Sequence, residues 1–380
     1  MASLSRLRVV EMAGIGPAPF CGMLLADMGA EVLRIDRVTP VQLGVEVPAR
    51  LDVLHRNKRA VALDLKCAAG RAAAQTLIAR ADVLIEGFRP GVMERLGLGP
   101  QDCEALNPRL VYGRMTGWGH EGPLANAAGH DLNYIALAGA LHGIGAQGGA
   151  PAIPWNLVGD FGGGALYLAM GVLAAVIEAG QSGRGQVVEA AMVDGIASLM
   201  NMQQGIDQSG LWPQGRGASL LNGGAPYYNV YETLDGKHVS IAAIETRFYD
   251  ELLERIGAAP AVADAQRAPA HWEDLHQRFA ALFRTRTRAQ WCALLEGTDA
   301  CFAPVLDLAE SAAHPHLAAR GTYLAVEGVR QAAPAPRFSR TPSSLRRPPP
   351  EPGTPPDAVL ADWGVSAGQL EAWRAGGALG

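Results

Sequence analysis

His130, in Ala128-Gly129-His130-Asp131-Leu132-Asn133-Tyr134, and Asp160, in Leu157-Val158-Gly159-Asp160-Phe161-Gly162-Gly163-Gly164, each set a proton-carrying side chain beside glycine. An imidazole and a carboxyl on opposite sides of one carbon can remove a proton and return another, which inverts a stereocentre. The glycines predict a backbone that a ligand can approach closely. Asp160 also stands where the apolar stretch to Ile177 needs an N-cap, and aspartate is favoured there. Capping leaves Gly162-Gly163-Gly164 unexplained, because each glycine inside a helix costs about 1 kcal/mol relative to alanine. The run therefore predicts a helix start kept open for a ligand. Glu245, in Ala242-Ala243-Ile244-Glu245-Thr246, reads either as a helix-start acid suited to the dipole or as a group holding His130 in one tautomer.

Such groups must be carried by rigid elements. The first third alternates β-branched runs (Arg8 to Glu11, Glu31 to Ile35, Ala60 to Leu63, Asp82 to Glu86) with helical patterns (Pro17 to Met28, Ala68 to Arg80). That alternation predicts βαβ units on a mainly parallel sheet, with ligands at the carboxyl edge of the strands. Just past those strands come Asp36-Arg37, Asp64-Leu65-Lys66 and Gly87-Phe88-Arg89-Pro90-Gly91, with Arg95 one helical turn on. Arg37, Lys66, Arg89 and Arg95 on one edge, beside helix N-termini, predict a site for a nucleotide-like polyanion. Neither a Walker loop nor a G-x-G-x-x-G fingerprint is present.

Gly129 to Ser209 reads as helical, broken at Gly145 to Pro154, with a short strand at Gln186 to Glu189. Tyr227 to Leu234, Asp235-Gly236 and Lys237 to Ala243 form a hairpin signal, followed by helical patterns over Phe248 to Ile256, His271 to Phe283 and Arg288 to Glu296. The expected organisation is an α/β large domain over 1–209, a glycine-rich linker over 210–224, a smaller α+β domain over 225–321 and a returning segment over 322–380. Within that segment the proline- and arginine-rich stretch from Pro334 to Pro356 is expected as an extended arm.

Composition narrows the function. A formal charge of −5 offers no general attraction to nucleic acid or acidic membranes. Five scattered cysteines without C-x-x-C spacing argue against a disulfide framework or structural zinc, and fit a reducing cytoplasm. Arg6 and Arg8 without an apolar run do not read as a signal peptide. The charge-free stretch between Asp160 and Glu178 is shorter than the ~20 residues that span a bilayer, so no membrane span is expected and a buried helix is. The remaining histidines, including His314 and His316, lack ligand spacing with carboxylates or thiols, and no metal is expected. Met192, Met200 and Met202 read as core filler or, alternatively, as the lining of a forgiving channel for an apolar chain.

Taken together the residues resemble the alpha-methylacyl-CoA racemases within the class III CoA-transferase superfamily. The motifs that carry the resemblance are Leu7 to Glu11 with Gly14 to Pro17, Gly29 to Val32, Arg56-Asn57-Lys58-Arg59, Asp82 to Gly91, Met115 to Gly119, the His130 and Asp160 segments, and Pro336 to Thr341. The resemblance implies a Rossmann-like large domain, a small domain, and two chains threaded into an interlocked homodimer. It implies His130 and Asp160 as the catalytic pair and Glu245 as the glutamate contacting the histidine, across the dimer. It places CoA contacts on Arg37, Leu63, Asp64, Leu65, Lys66, Gly87, Phe88, Arg89, Arg95, Gly129, Asp131, Leu132, Asn133 and Tyr134, and requires no cofactor, since CoA arrives as part of the acyl-CoA substrate.

The expected reaction is inversion at C2 of a 2-methylacyl-CoA thioester. One of His130 and Asp160 removes the C2 proton, and the other protonates the planar enolate from the opposite face. Asp160 must then be a neutral acid in half of the cycle, which calls for a carboxyl raised by desolvation. Backbone amides at the glycine-flanked helix start are the expected donors to the enolate oxygen. The alternative is CoA transfer between carboxylic acids with Asp160 as the nucleophile, a chemistry that does not call for a histidine at position 130.

Overall fold

The computed structural model describes residues 2–39, 44, 47–210, 215–258 and 268–379. Residues 211–214 of the expected linker lie outside the described residues. The chain divides into two compact units: Met1–Ala138, Trp155–Leu199 and Ala319–Gly380 form the first, and Gly139–Pro154 and Met200–Ala318 the second. Segments 139–154 and 200–209 thus belong to the second unit, where a contiguous division had put them in the large domain.

The first unit is built on a six-stranded parallel sheet of β1 (Arg8–Met12), β2 (Glu31–Asp36), β3 (Arg59–Ala62), β4 (Val83–Glu86), β5 (Val111–Thr116) and β6 (Val187–Ala191). Its order is β3-β2-β1-β4-β5-β6. Successive residues such as Val9 and Val10 are both buried, because the sheet is covered on both faces and its strands need not alternate. The helices of this unit include α1 (Pro17–Asp27), α2 (Ala68–Ile78), α3 (Val92–Arg95), α4 (Pro100–Leu106), α5 (Asp131–Leu137), α6 (Leu166–Ser182) and α7 (Met192–Leu199). Strand order reverses at β1, whose neighbours β2 and β4 lead away in opposite directions. A crevice therefore opens at the carboxyl ends of β1 and β4.

Asp160 does not cap an α-helix. Leu157–Ala165 is a nine-residue π-helical stretch that runs straight into α6, with the Leu166 N–H bonded to the Phe161 carbonyl. The widened turn is stabilised from outside, since the Asp160 N–H donates to Oδ1 of Asp131 at 2.7 Å. The π turns also lengthen the apolar helix beyond the sequence-based limit. Leu157–Ser182 is long and apolar enough to cross a membrane by length and composition, although it contains Asp160. Nor is it wholly buried as expected: Leu166, Met170 and Ile177 are more than half exposed.

Residues 319–380 return to the first unit. An antiparallel hairpin, Tyr323–Val326 with Val329–Ala332, leads into an arm without regular structure. Asn57, in a left-handed backbone conformation, anchors this arm by accepting the N–H groups of Arg346 and Arg347 while donating to Asp27 and to the Ser344 carbonyl. Helices at Asp357–Asp362 and Ala367–Ala375 then bury Leu360, Trp363, Leu370 and Trp373 against one face of the sheet.

The second unit contains α8 (Asn201–Ser209) and a three-stranded antiparallel sheet of β7 (Tyr228–Glu232), β8 (His238–Ala242) and β9 (Phe302–Pro304). Against it lie α9 (Thr246–Ile256), α10 (Trp272–Phe283) and α11 (Arg288–Leu295), with an aromatic core in which Tyr231 stacks on Phe283 at 5.1 Å.

Candidate active site

His130 is the N-cap of α5, with extended backbone angles. The cap is made by its neighbours: its N–H donates to Oδ1 of Asn133 at 3.1 Å, and the Asn133 N–H returns to the His130 carbonyl at 2.8 Å. No ring nitrogen is spent on the helix, and the side chain is exposed. The next residue, Asp131, is buried and supplies the acceptor that fixes the Asp160 amide. One short helix thus orients both halves of the pair.

His130 and Asp160 line the same cavity, of about 880 Å³, at the carboxyl edge of the sheet. Burial pushes the Asp160 carboxyl above the usual carboxylate range, and the negative charge of Asp131 adds to it; a hydrogen bond from Nδ2 of Asn156 at 3.0 Å and the nearby His130 act in the opposite direction. The desolvation required of a proton-donating aspartate is therefore present.

The glycines around this pair serve packing more than ligand access. A Cβ on Gly129 would lie 2.8 Å from the Tyr134 ring and 2.9 Å from Trp118, and one on Gly159 would lie 2.4 Å from Oδ1 of Asp131. At Gly163 the added atom would meet Ile196 at 2.9 Å, and at Gly164 it would meet Met192 at 2.9 Å, because α7 crosses directly over the π turns. Gly162-Gly163-Gly164 consequently allows two helices to approach, not a ligand to enter. The backbone donor expected for an enolate is also altered, since the Asp160 amide is already committed to Asp131.

Of the expected CoA contacts, Arg37, Gly87, Phe88, Arg89, Gly129 and Tyr134 line the cavity. The Arg37 guanidinium lies over the Phe88 ring, 5.5 Å from its centroid. Tyr134 is buried, donates its hydroxyl to the Gly129 carbonyl, and meets Trp118 edge-on at 4.7 Å. The others lie elsewhere. The Leu63 side chain belongs to the core, the Asp64 N–H bonds to the Ala378 carbonyl, and Leu65 packs on the same core. Lys66, Arg95, Leu132 and Asn133 are exposed and do not line the cavity, so the basic edge there consists of Arg37 and Arg89. Glu245 belongs to the second unit, as the N-cap of α9.

Sequence reasoning missed Asn156 and His55. Asn156 precedes Asp160 by four residues, a helical spacing that pairs side chains, and that spacing was its only signal. His55 is in the cavity wall, with Nδ1 3.4 Å from Nζ of Lys58; burial, then Lys58 and Arg34, holds its pKa down at about 2. Those influences favour the neutral imidazole, unlike the acid–base partner that a cavity histidine suggests, while Nε2 lies 3.4 Å from Oδ2 of Asp52. Lys58 itself is fully buried against Glu11.

A parallel sheet with this strand order, presenting an imidazole and a desolvated carboxyl in the crevice at its switch point, defines an α/β enzyme equipped for acid–base or nucleophilic work. The chain belongs to CoA-transferase family III, whose pattern matches residues 4–355. It is 42% identical over 370 residues to a mouse protein named alpha-methylacyl-CoA racemase, covering 97% of this chain and 95% of that one. The human protein of the same name is 40% identical over 373 residues, with the same coverage. Among solved structures, a CaiB/BaiF family protein from Brucella suis superposes with a TM-score of 0.81 at 25% identity, covering 95% of this chain and 99% of that one.

Proposed function

We propose that this protein is a racemase that inverts the C2 stereocentre of 2-methylacyl-CoA thioesters. The observation that carries the reading is the shared cavity, in which His130 and the raised carboxyl of Asp160 stand together. Its 40–42% identity to the two mammalian racemases over 97% of the chain favours inversion over CoA transfer.

In the proposed cycle one group takes the C2 proton and the other delivers a proton to the opposite face of the enolate, with roles exchanged in the reverse direction. Each positioned base supplies about 10²- to 10⁴-fold. Asn156 stabilises the ionised form of Asp160 and burial the neutral form, and burial is the larger, so the carboxyl stands above the usual carboxylate range. Arg37 and Arg89 attract the phosphates of CoA, and Phe88 holds Arg37 in place. The contacts expected at Leu63 to Lys66, at Arg95 and at Leu132 and Asn133 lie outside this cavity and are not part of the proposed binding set. CoA enters as part of the substrate, and no separate cofactor takes part.

The active form is an interlocked homodimer in which Glu245 of the second unit orients His130 across the interface. The exposed apolar face of α6, with Leu166, Met170 and Ile177, supports association of two chains. The compartment is a reducing cytoplasm, consistent with five unpaired cysteines.

Incubation with a resolved 2-methylacyl-CoA in deuterated water tests the reading. Deuterium enters C2 and the ester racemises without an added acceptor acid, and His130→Ala or Asp160→Ala abolishes both. Exchange that requires a carboxylic acid acceptor, or that survives His130→Ala, overturns it.

A further inference from the structure

Glu86, the last residue of β4, is buried, and a carboxylate in that position costs several kcal/mol unless its oxygens are met. Both are met. Oε1 accepts from Nε of Arg114, its register partner on β5, at 3.1 Å, and Oε2 accepts the N–H of Phe88 at 2.8 Å. The second arm of the Arg114 guanidinium reaches Oε1 of Glu94 in α3, and the guanidinium sits over the Tyr112 ring at 5.4 Å. One cation therefore grips the chain just before and just after Gly87 to Gly91, the loop that brings Gly87, Phe88 and Arg89 to the cavity wall.

Stability alone does not require this arrangement, since well-packed apolar residues commonly replace a buried ion pair without loss. What an apolar pair cannot do is accept the Phe88 N–H and so fix the direction in which the chain leaves β4. That direction sets the Phe88 ring under Arg37 and turns Arg89 into the crevice.

We propose that Arg114 and Glu86 are a positioning pair that sets the affinity for the CoA portion of the substrate by holding the Gly87–Arg89 backbone. The inference rests on the reading of the cavity as a CoA-thioester site. Neither residue touches substrate; both act through Phe88 and Arg89.

Calorimetry with CoA itself, on the full-length chain, is combined with C2 deuterium exchange kinetics for Arg114→Met, Arg114→Lys and Glu86→Gln. Arg114→Met is expected to raise the Kd for CoA and the KM about tenfold, the equivalent of one lost charge-assisted hydrogen bond, with kcat within about twofold. Arg114→Lys keeps the charge and recovers part of the affinity. Glu86→Gln keeps an oxygen acceptor for the Phe88 N–H and loses about threefold. Amide exchange at Phe88 is expected to quicken in the order of those losses. Equal CoA affinity in all variants, or a fall in kcat with Kd unchanged, overturns the proposal. If Arg114→Met does not fold, the lysine and glutamine variants decide by the same readouts. Wild-type protein that binds no CoA defeats the cavity assignment itself, and is distinguishable from wild-type binding that the variants leave unaltered.

Discussion

Oδ1 of Asp131 accepts the backbone N–H of Asp160 at 2.7 Å, although the two residues lie 29 apart in the chain. Asp131 directly follows His130, so this bond ties the imidazole-bearing helix to the π turn that carries the carboxyl. Asp131→Ala leaves the Asp160 N–H without its partner, at a cost of about 1–3 kcal/mol, and C2 exchange is expected to slow about 10- to 100-fold. Asp131→Asn keeps an acceptor oxygen but removes a negative charge that raises the Asp160 carboxyl. Ionising Asp160 then becomes easier, and the Asp160 limb of the pH–rate profile moves to lower pH. A profile that is unchanged, or shifted upward, contradicts this electrostatic account.

The crossing of α7 over the π turns gives a second expectation. A Cβ at Gly163 would lie 2.9 Å from both Cγ1 and the backbone N of Ile196, and a backbone atom cannot rotate aside as a flexible side chain can. Gly163→Ala is expected to destabilise the protein by about 1–3 kcal/mol through overpacking. Gly180→Ala is the control, because nothing lies within 4 Å of the added atom and alanine favours the helix. Thermal melting of the two variants should move in opposite directions.

Much of the first unit was legible in the sequence. Uninterrupted apolar strands such as Val83-Leu84-Ile85 follow from a sheet covered on both faces, and the exits of β2, β3 and β4 could be read directly because turn residues interrupt the pattern there, whereas β5 was not read as a strand. The hairpin around Asp235-Gly236 was equally clear, since Gly236 adopts a positive φ of 70° that the turn needs. The π turn was not legible. Asp160 before an apolar run carries the signature of an N-cap, and only a contact from Asp131, distant in sequence, turns it into an interior position. Likewise Lys66 and Arg95 share the strand-exit pattern of Arg37 and Arg89, but the pattern gives no lateral distance along a sheet edge. Glu86 looked like the ordinary end of a strand and Arg114 carried no signal, because a pairing between adjacent parallel strands leaves no trace in either segment alone.

Phe88 should act on binding more than on chemistry. Its ring lies beneath the Arg37 guanidinium, an interaction of about 0.5–1 kcal/mol at an exposed site. Phe88→Leu retains bulk and removes the aromatic face, so KM for the acyl-CoA is expected to rise about two- to fivefold with kcat nearly constant. The increase should shrink at high salt, where the attraction of Arg37 for phosphate is screened anyway. Steady-state kinetics at low and high ionic strength check this, and a fall in kcat instead would assign Phe88 to the reacting centre.

Asp160 should reduce stability at the pH where it works. Burial raises its carboxyl in the folded protein above the ordinary carboxylate range, so between the unfolded and folded values the native state holds a proton that the unfolded chain has released. Stability contributed by that proton is complete below the window and lost as pH rises through it. Above the folded value the protein carries the whole penalty of a desolvated anion. Asp160→Asn cannot ionise and still offers an oxygen to Nδ2 of Asn156, so the inactive variant is expected to be more stable than the wild type at neutral pH. The advantage should fade as pH is lowered toward about 4, where the unfolded carboxyl is itself half protonated. Urea unfolding of both proteins at the two pH values measures it. A difference independent of pH would mean that the substitution acts through packing, and that burial of the ionised carboxyl is not its cause.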